Sequence, residues 1–260
     1  MAQHALARTD LEALLRTRKL DRTIPPTDSA FGAPHAPSKA ASSLSRGGTR
    51  LSLGVPLLDD RLDGGLPRGQ VSEIAGPRSS GRTTIMCAAL AAATGRGELA
   101  ALVDPLDSFD PESAASCGVA LERLLWLRGE GATMGSVGRQ EQDKLERVLD
   151  RALKALNLVL QAGGFDLAVL DLAEVPAAAI RRLPFTTWFR LQRVIEHSRT
   201  VCLLLGPSPI ARSAEGVSIQ LAPARQHRWE GRLFAGLNIQ ARIVRARSAE
   251  DGRVTVRAHR

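Results

Sequence analysis

The segment that most restricts what this chain can fold into is Val71–Thr84, VSEIAGPRSSGRTT. VSEIAG has the short, largely apolar make-up of a buried strand, and TTIMCAALAAATG that of an apolar helix. Between them runs Gly76-Pro77-Arg78-Ser79-Ser80-Gly81-Arg82-Thr83, followed by Thr84. This is the G-x-x-x-x-G-K-[S/T] phosphate loop with one departure, an arginine at 82 where the lysine belongs. The strand before it and the helix after it are the context that such a loop requires. Glycines let backbone N–H groups wrap a phosphate, and the helix N-terminus adds the positive end of its dipole. The hydroxyl of Thr83 would hold Mg²⁺. Arginine keeps the positive charge of lysine, but it is a wide planar fork rather than a compact point charge. Binding of ATP with Mg²⁺ is therefore compatible with the substitution, whereas the usual geometry at the γ-phosphate is not.

The flanking sequence extends this unit into an α/β class. After the helix come a strand in ELAALVD (98–104), a short helix in DPESAASCG, a strand in LLWLRG and a long amphipathic helix over 139–162. In that long helix Leu145, Val148, Leu149, Leu153, Leu156 and Leu160 share one face. A strand in FDLAVLDLA (165–173), a helix in WFRLQRVIEHS and a strand in TVCLLLGP (200–207) follow. Apolar strands alternating with helices predict a mainly parallel sheet covered on both faces. The later segments GVSIQLA, LNIQARIVRAR and GRVTVRAHR alternate in polarity and read as antiparallel edge strands. Asp171, closing LAVLD, stands where an acidic residue would position Mg²⁺ through water; its other reading is a strand-end cap.

The expected organisation is a helix over 1–22, a flexible linker over 23–50, a core over 51–222 and a basic strand segment over 223–260. Leu11, Leu14, Leu15 and Leu20 recur at helical spacing ahead of a Pro-, Ser-, Ala- and Gly-rich stretch. They make residues 1–22 either a docking arm or a tail.

Formal net charge is +8, carried by 35 Lys and Arg against 27 Asp and Glu, which favours anionic partners. Arg225, Arg228, Arg232, Arg242, Arg245 and Arg247, with Arg253, Arg257 and Arg260, could neutralise DNA phosphates, meet an acidic protein, or form a solvated face. Phe185, Trp188 and Phe189 beside Arg190 and Arg193 read either as a base-stacking group or as core packing. The three cysteines, Cys87, Cys117 and Cys202, form no CxxC and read as buried free thiols, and the five histidines show no metal-ligand spacing. There is no apolar run of transmembrane length and no secretory signal pattern at the N-terminus, so a cytoplasmic protein with no membrane partner is the expectation, with nucleoid association compatible with the charge.

Residues 51–84, LSLGVPLLDDRLDGGLPRGQVSEIAGPRSSGRTT, resemble the opening of the bacterial RecA ATPase core. The likeness continues through VDPLDSFDPESAASCGVALERLLWLRG (103–129), the Asp171 strand and CLLLG. The resemblance implies a RecA-like fold and makes four differences informative. RecA's general-base glutamate, two residues beyond the aspartate matching Asp104, is Leu106 here, with Asp107 adjacent as a candidate substitute. The glutamine that senses the γ-phosphate is matched by Pro207. The adenine-stacking aromatic is matched by Ser113, leaving Asp110 as a candidate partner for the adenine amino group. The DNA-gripping loop is shortened to SPIARSAEG (208–216). LEALLRTRKLDRTI matches the place of the helix through which RecA protomers dock.

A RecA shell with these losses is similar to the ImuA family, the RecA-like accessory of an inducible mutagenesis cassette. That likeness implies a role in SOS-induced translesion synthesis after DNA damage. The implied partners are an ImuB-like inactive polymerase relative and an error-prone replicative-type polymerase, with RecA and DNA as further candidates. Two other readings stand beside it: an active DNA-dependent ATPase and recombinase, and an SOS cell-division inhibitor with a degenerate RecA-like core.

Overall fold

A computed structural model of the chain describes residues 49–130, 139–211, 216–223, 227–230, 233–245 and 253–259. The helix expected over 1–22, with Leu11, Leu14 and Leu15, and nearly all of the expected linker lie outside the described residues.

Strand β1 (Arg50–Leu51) pairs antiparallel with β2 (Leu66–Pro67), and helix α1 (Pro56–Arg61) lies between them. Asp59 in the first turn of α1 accepts hydrogen bonds from Ser52 Oγ and the Leu53 N–H, each at 2.7 Å. Leu51, Leu53, Leu58, Leu62 and Leu66 are all buried, so the apolar spacing of LSLGVPLLDDRLDGGL builds a lid on the core.

The main sheet uses β3 (Val71–Ala75), β4 (Ala100–Asp104), β5 (Leu124–Arg128), β6 (Leu167–Asp171), β7 (Val201–Gly206), β8 (Ser218–Leu221), β10 (Leu233–Arg245) and β11 (Arg253–His259), in the order β11-β10-β8-β3-β7-β6-β4-β5. Strand β9 (His227–Glu230) joins the same sheet by pairing with the start of β10. From β5 to β3 every pairing is parallel. Helices α2 (Arg82–Gly95), α3 (Pro111–Ser116), α4 (Arg139–Ala162), α5 (Ala177–Arg182) and α6 (Thr186–Ile195) make the connections. This is the mainly parallel α/β architecture expected from the alternating pattern.

The strand expected as an antiparallel edge in GVSIQLA behaves differently. β8 is interior, parallel to β3 and antiparallel to β10. It is the strand at which chain direction reverses. Side-chain alternation reports which face a residue occupies and is blind to strand direction, so the pattern that located β8 could not orient it.

Each central strand feeds two cores. Leu167 and Val169 of β6 enter one with Ile85, Met86 and Leu90 of α2. Ala168 and Leu170 enter the other with Leu149, Leu156 and Leu160 of α4 and Trp188, Leu191 and Ile195 of α6. The period of two within strands and of 3.6 within helices thus meet face to face. Of the cysteines, Cys87 and Cys202 are buried as expected, and burial pushes the Cys202 thiol up to about 12. Cys117 is exposed instead, because it closes α3 at the surface.

At the N-terminal edge of the parallel strands, Arg68 lies almost enclosed. Its guanidinium donates to Glu98 at 2.6 Å, to Asp166 at 2.6 Å and to the Arg199 carbonyl at 2.8 Å. Among the described residues, no helix is long and apolar enough to cross a membrane.

Candidate functional site

The opposite, C-terminal edge of the parallel strands is where ligands of such sheets bind, and there the glycine-bounded loop sits. β3 stops at Ala75, and the Gly76 N–H donates to the Gly206 carbonyl at 3.1 Å, tying the loop to the end of β7. The chain turns through Ser79 at φ 57° and Gly81 at φ 95° before α2 begins at Arg82. Gly81 is required twice over. Its φ is left-handed, and a Cβ there would lie 2.4 Å from Ile239 Cδ1 of β10. Ser80 is buried, and its Oγ has no hydrogen-bond partner, an orphan hydroxyl inside the loop. Thr83 and Thr84 are exposed on the first turn of α2, where helix geometry leaves N–H groups unpaired. Pro77, Arg78 and Ser79 are exposed at the crest.

Arg82 decides the character of this loop. Its side chain is only 4% exposed, and it does not reach toward the crest. It crosses to the segment after β6, donating from one NH2 group to the Ala173 carbonyl at 2.6 Å and from the other to Glu174 Oε1 at 3.1 Å. Arg78 closes on the other oxygen of the same carboxylate, with Nε 3.0 Å from Glu174 Oε2. Burial lowers the Arg82 pKa from its ordinary value, while the negative charges of Glu174 and Asp171 push it back up.

Asp171 ends β6 beside this group, and its Oδ1 accepts the Ala173 N–H at 2.9 Å. Burial raises its pKa to about 6, opposed by that hydrogen bond, reinforced by the charge of Asp104 and opposed again by Arg82. Asp171 thus caps the turn that leaves the strand, and its charge acts on Arg82.

The residues matching RecA's catalytic and signalling groups have other employment. Leu106 packs against the α4 side of the core. Asp107 is bound in a two-point ion pair with Arg128, with Nε–Oδ1 and NH2–Oδ2 both 2.8 Å, and that bond lowers its pKa. A carboxylate so engaged is a poor proton acceptor for water. Asp104 is fully buried and accepts from the Ser108 and Phe109 N–H groups and from Trp126 Nε1. Asp110 caps α3, accepting the Glu112 N–H at 3.1 Å and the Ser113 hydroxyl. Past Pro207, the shortened loop is drawn inward by Glu73, whose Oε2 accepts the Ile210 and Ala211 N–H groups at 2.6 and 2.7 Å.

The aromatic group near 185–189 divides. Trp188 is buried in the core, while Phe185 and Phe189 are exposed and meet edge to face with centroids 4.8 Å apart. Arg190 and Arg193 are exposed on the same helix. Among the C-terminal arginines, Arg242 lies exposed on β10. Arg228 and Arg245 have strand backbone in β9 and β10, and Arg225, Arg232 and Arg247 lie outside the described residues.

The loop suits a phosphate: two left-handed residues, Ser79 and Gly81, lead into the first turn of α2, and the buried Ser80 hydroxyl has no hydrogen-bond partner. Thr83 and Asp171 are the residues that would hold Mg²⁺. The loop's own cation is engaged with Ala173 and Glu174, and Leu106, at the position that the resemblance gives to the base, has no ionisable group.

Sequence comparisons agree with this geometry. The RecA N-terminal domain family matches residues 40–181. The protein RecA of Chlorobaculum tepidum is 34% identical over 170 residues, covering 60% of this chain and 44% of the relative. That of Synechococcus sp. strain CC9902 is 36% identical over 121 residues, covering 46% of this chain and 28% of the relative, and that of Arthrobacter sp. is 38% identical over 119, covering 45% and 29%. The matched region therefore spans less than half the length of these relatives. A parallel sheet with a phosphate loop after β3, an aspartate closing β6 and a family match across most of that region lead to one conclusion: the chain belongs to the RecA N-terminal domain family.

Proposed function

We propose that this chain is a non-recombinase, RecA-like accessory protein of SOS-induced DNA damage tolerance, of the ImuA kind. It acts in error-prone translesion synthesis through contacts with an inactive Y-family-like polymerase relative and an error-prone replicative-type polymerase, in the cytoplasm or at the nucleoid. RecA and DNA are further candidate partners. The observation that carries this reading is Arg82. The cation of the phosphate loop is buried against Ala173 and Glu174, so the charge that would follow a departing phosphate is already committed. Leu106 in the core and Asp107 held by Arg128 support the same reading from the base side. General-base help is worth roughly 10²- to 10⁴-fold, so losing it alone leaves a feeble hydrolase. Phe185 and Phe189, exposed among arginines, offer a surface on which a partner protein could seat.

The test has two arms. Purified chain with ATP, Mg²⁺ and single-stranded DNA should show no DNA-stimulated turnover and no strand exchange. The same chain should co-purify with an ImuB-like polymerase relative and lose that binding when Phe185 and Phe189 become Ala. Rapid DNA-stimulated hydrolysis that disappears in Arg82→Ala would restore the recombinase reading.

A further inference from the structure

We propose that Glu174 is an internal ligand of the phosphate loop, holding the two arginines that a bound phosphate would otherwise draw on, and that a nucleotide's phosphate chain binds by displacing it from them. The loop carries two arginines, Arg78 at its crest and Arg82 at its helical end. Their guanidinium groups take opposite oxygens of one carboxylate, at 3.0 and 3.1 Å. An arginine fork recognises carboxylate and phosphate oxygens by the same geometry. A guanidinium as enclosed as Arg82 needs an anion and hydrogen-bond acceptors, since an unpaired buried charge is strongly unfavourable. In a loop built for phosphate the ligand supplies that anion. Here the chain supplies it, with Ala173 contributing the second acceptor.

The arrangement explains two things at once. The backbone cradle is intact and carries an unpartnered buried hydroxyl at Ser80, so a phosphate still has somewhere to go. Yet drawing either arginine onto that phosphate must break the Glu174 clamp and leave its carboxylate near an incoming polyanion. Glu174 is itself about one third exposed on its side chain, so it can swing to water without unfolding the segment that follows β6. The ligand class is a nucleotide phosphate chain, and the residue sets how tightly that chain binds. This rests on the reading above that Arg82 is withdrawn from the crest.

The experiment is a calorimetric titration of the full chain with ATPγS and Mg²⁺, and separately with inorganic phosphate, for the parent, Glu174→Gln and Glu174→Ala. Both variants should bind ATPγS at least tenfold more tightly than the parent, and inorganic phosphate should compete better against it. Glu174→Gln keeps the size and one acceptor of the original side chain, and circular dichroism with a melting curve verifies each fold. Equal, weaker or absent binding in both folded variants overturns the proposal. DNA-stimulated turnover by the parent would overturn the accessory role while leaving a tenfold gain standing. An unchanged affinity with no turnover would do the reverse.

Discussion

Arg68 and Arg82 are both enclosed arginines, at opposite edges of the same parallel strands. Arg68 meets two carboxylates, Glu98 and Asp166, and one carbonyl. Arg82 meets one carbonyl and one carboxylate, and it shares that carboxylate with Arg78. The first is a structural tie joining residues 30 and 98 positions apart, whose carboxylates also meet Arg96 and Arg199. The second joins the phosphate loop to the segment after β6, with Asp171 as a further negative charge nearby. The Arg68 guanidinium makes three hydrogen bonds and that of Arg82 two, and only the second lies in the glycine-bounded loop.

Substituting each arginine breaks this comparison most directly. Arg68→Ala takes the enclosed guanidinium from two carboxylates that keep only the more exposed Arg96 and Arg199, so the loss should lie toward the lower end of the about 3–5 kcal/mol that removing one partner of a buried ion pair costs. Urea unfolding should show that loss with an unchanged slope. Arg82→Ala leaves only Glu174, which can turn to solvent, and an unpaired carbonyl, so about 1–3 kcal/mol is expected. A larger loss at 82 than at 68 would mean the loop arginine is the structural one.

Asp171 gives the second prediction. Its folded pKa, about 6, is above the ordinary carboxylate value, so the folded chain holds more protons than the unfolded one between roughly pH 4 and pH 6. Stability from this group is therefore greatest below that window, falls as pH rises through it, and stays lower at neutral pH. The span is on the order of 2–3 kcal/mol. Asp171→Asn keeps an oxygen for the Ala173 N–H and removes the ionisation. Chemical denaturation at pH 5 and pH 8 should show a smaller difference between the two pH values in the variant than in the parent. An unaltered difference would place the group's titration elsewhere.

The smallest effect belongs to Arg78→Ala. Arg78 is exposed, and a surface ion pair contributes about 0–1 kcal/mol. Its melting temperature should barely move, which separates the crest of the clamp from its enclosed half. A loss comparable to that of Arg82→Ala would make the crest part of the fold.

The frame of the sheet could be read from residues alone. VCLLLG is a continuous apolar run, LAVLD is apolar up to its closing Asp171 and VSEIA but for Ser72 and Glu73, the make-up of strands covered on both faces, and the leucine spacing of 139–162 coincides with α4. The phosphate loop was equally visible, because its glycines and their flanks carry a local geometric demand. What stayed hidden was non-local or patternless. Nothing in AEVP marks Glu174 as the partner of an arginine 92 positions earlier. The Arg68 tie is hidden for the same reason, and so is Glu73, an apparent mid-strand oddity that anchors Ile210 and Ala211 across 137 and 138 positions. Asp107 looked like a spare base, and only its neighbour across the sheet, Arg128, reveals it as occupied.

Ile239 presses against Gly81 from the outer, antiparallel part of the sheet. The floor of the anion cradle is therefore furnished by a strand arriving more than 150 residues later in the chain. A protein or strand of nucleic acid grasping the outer ribbon would be leaning on the cradle from behind, with one methyl group as the point of leverage.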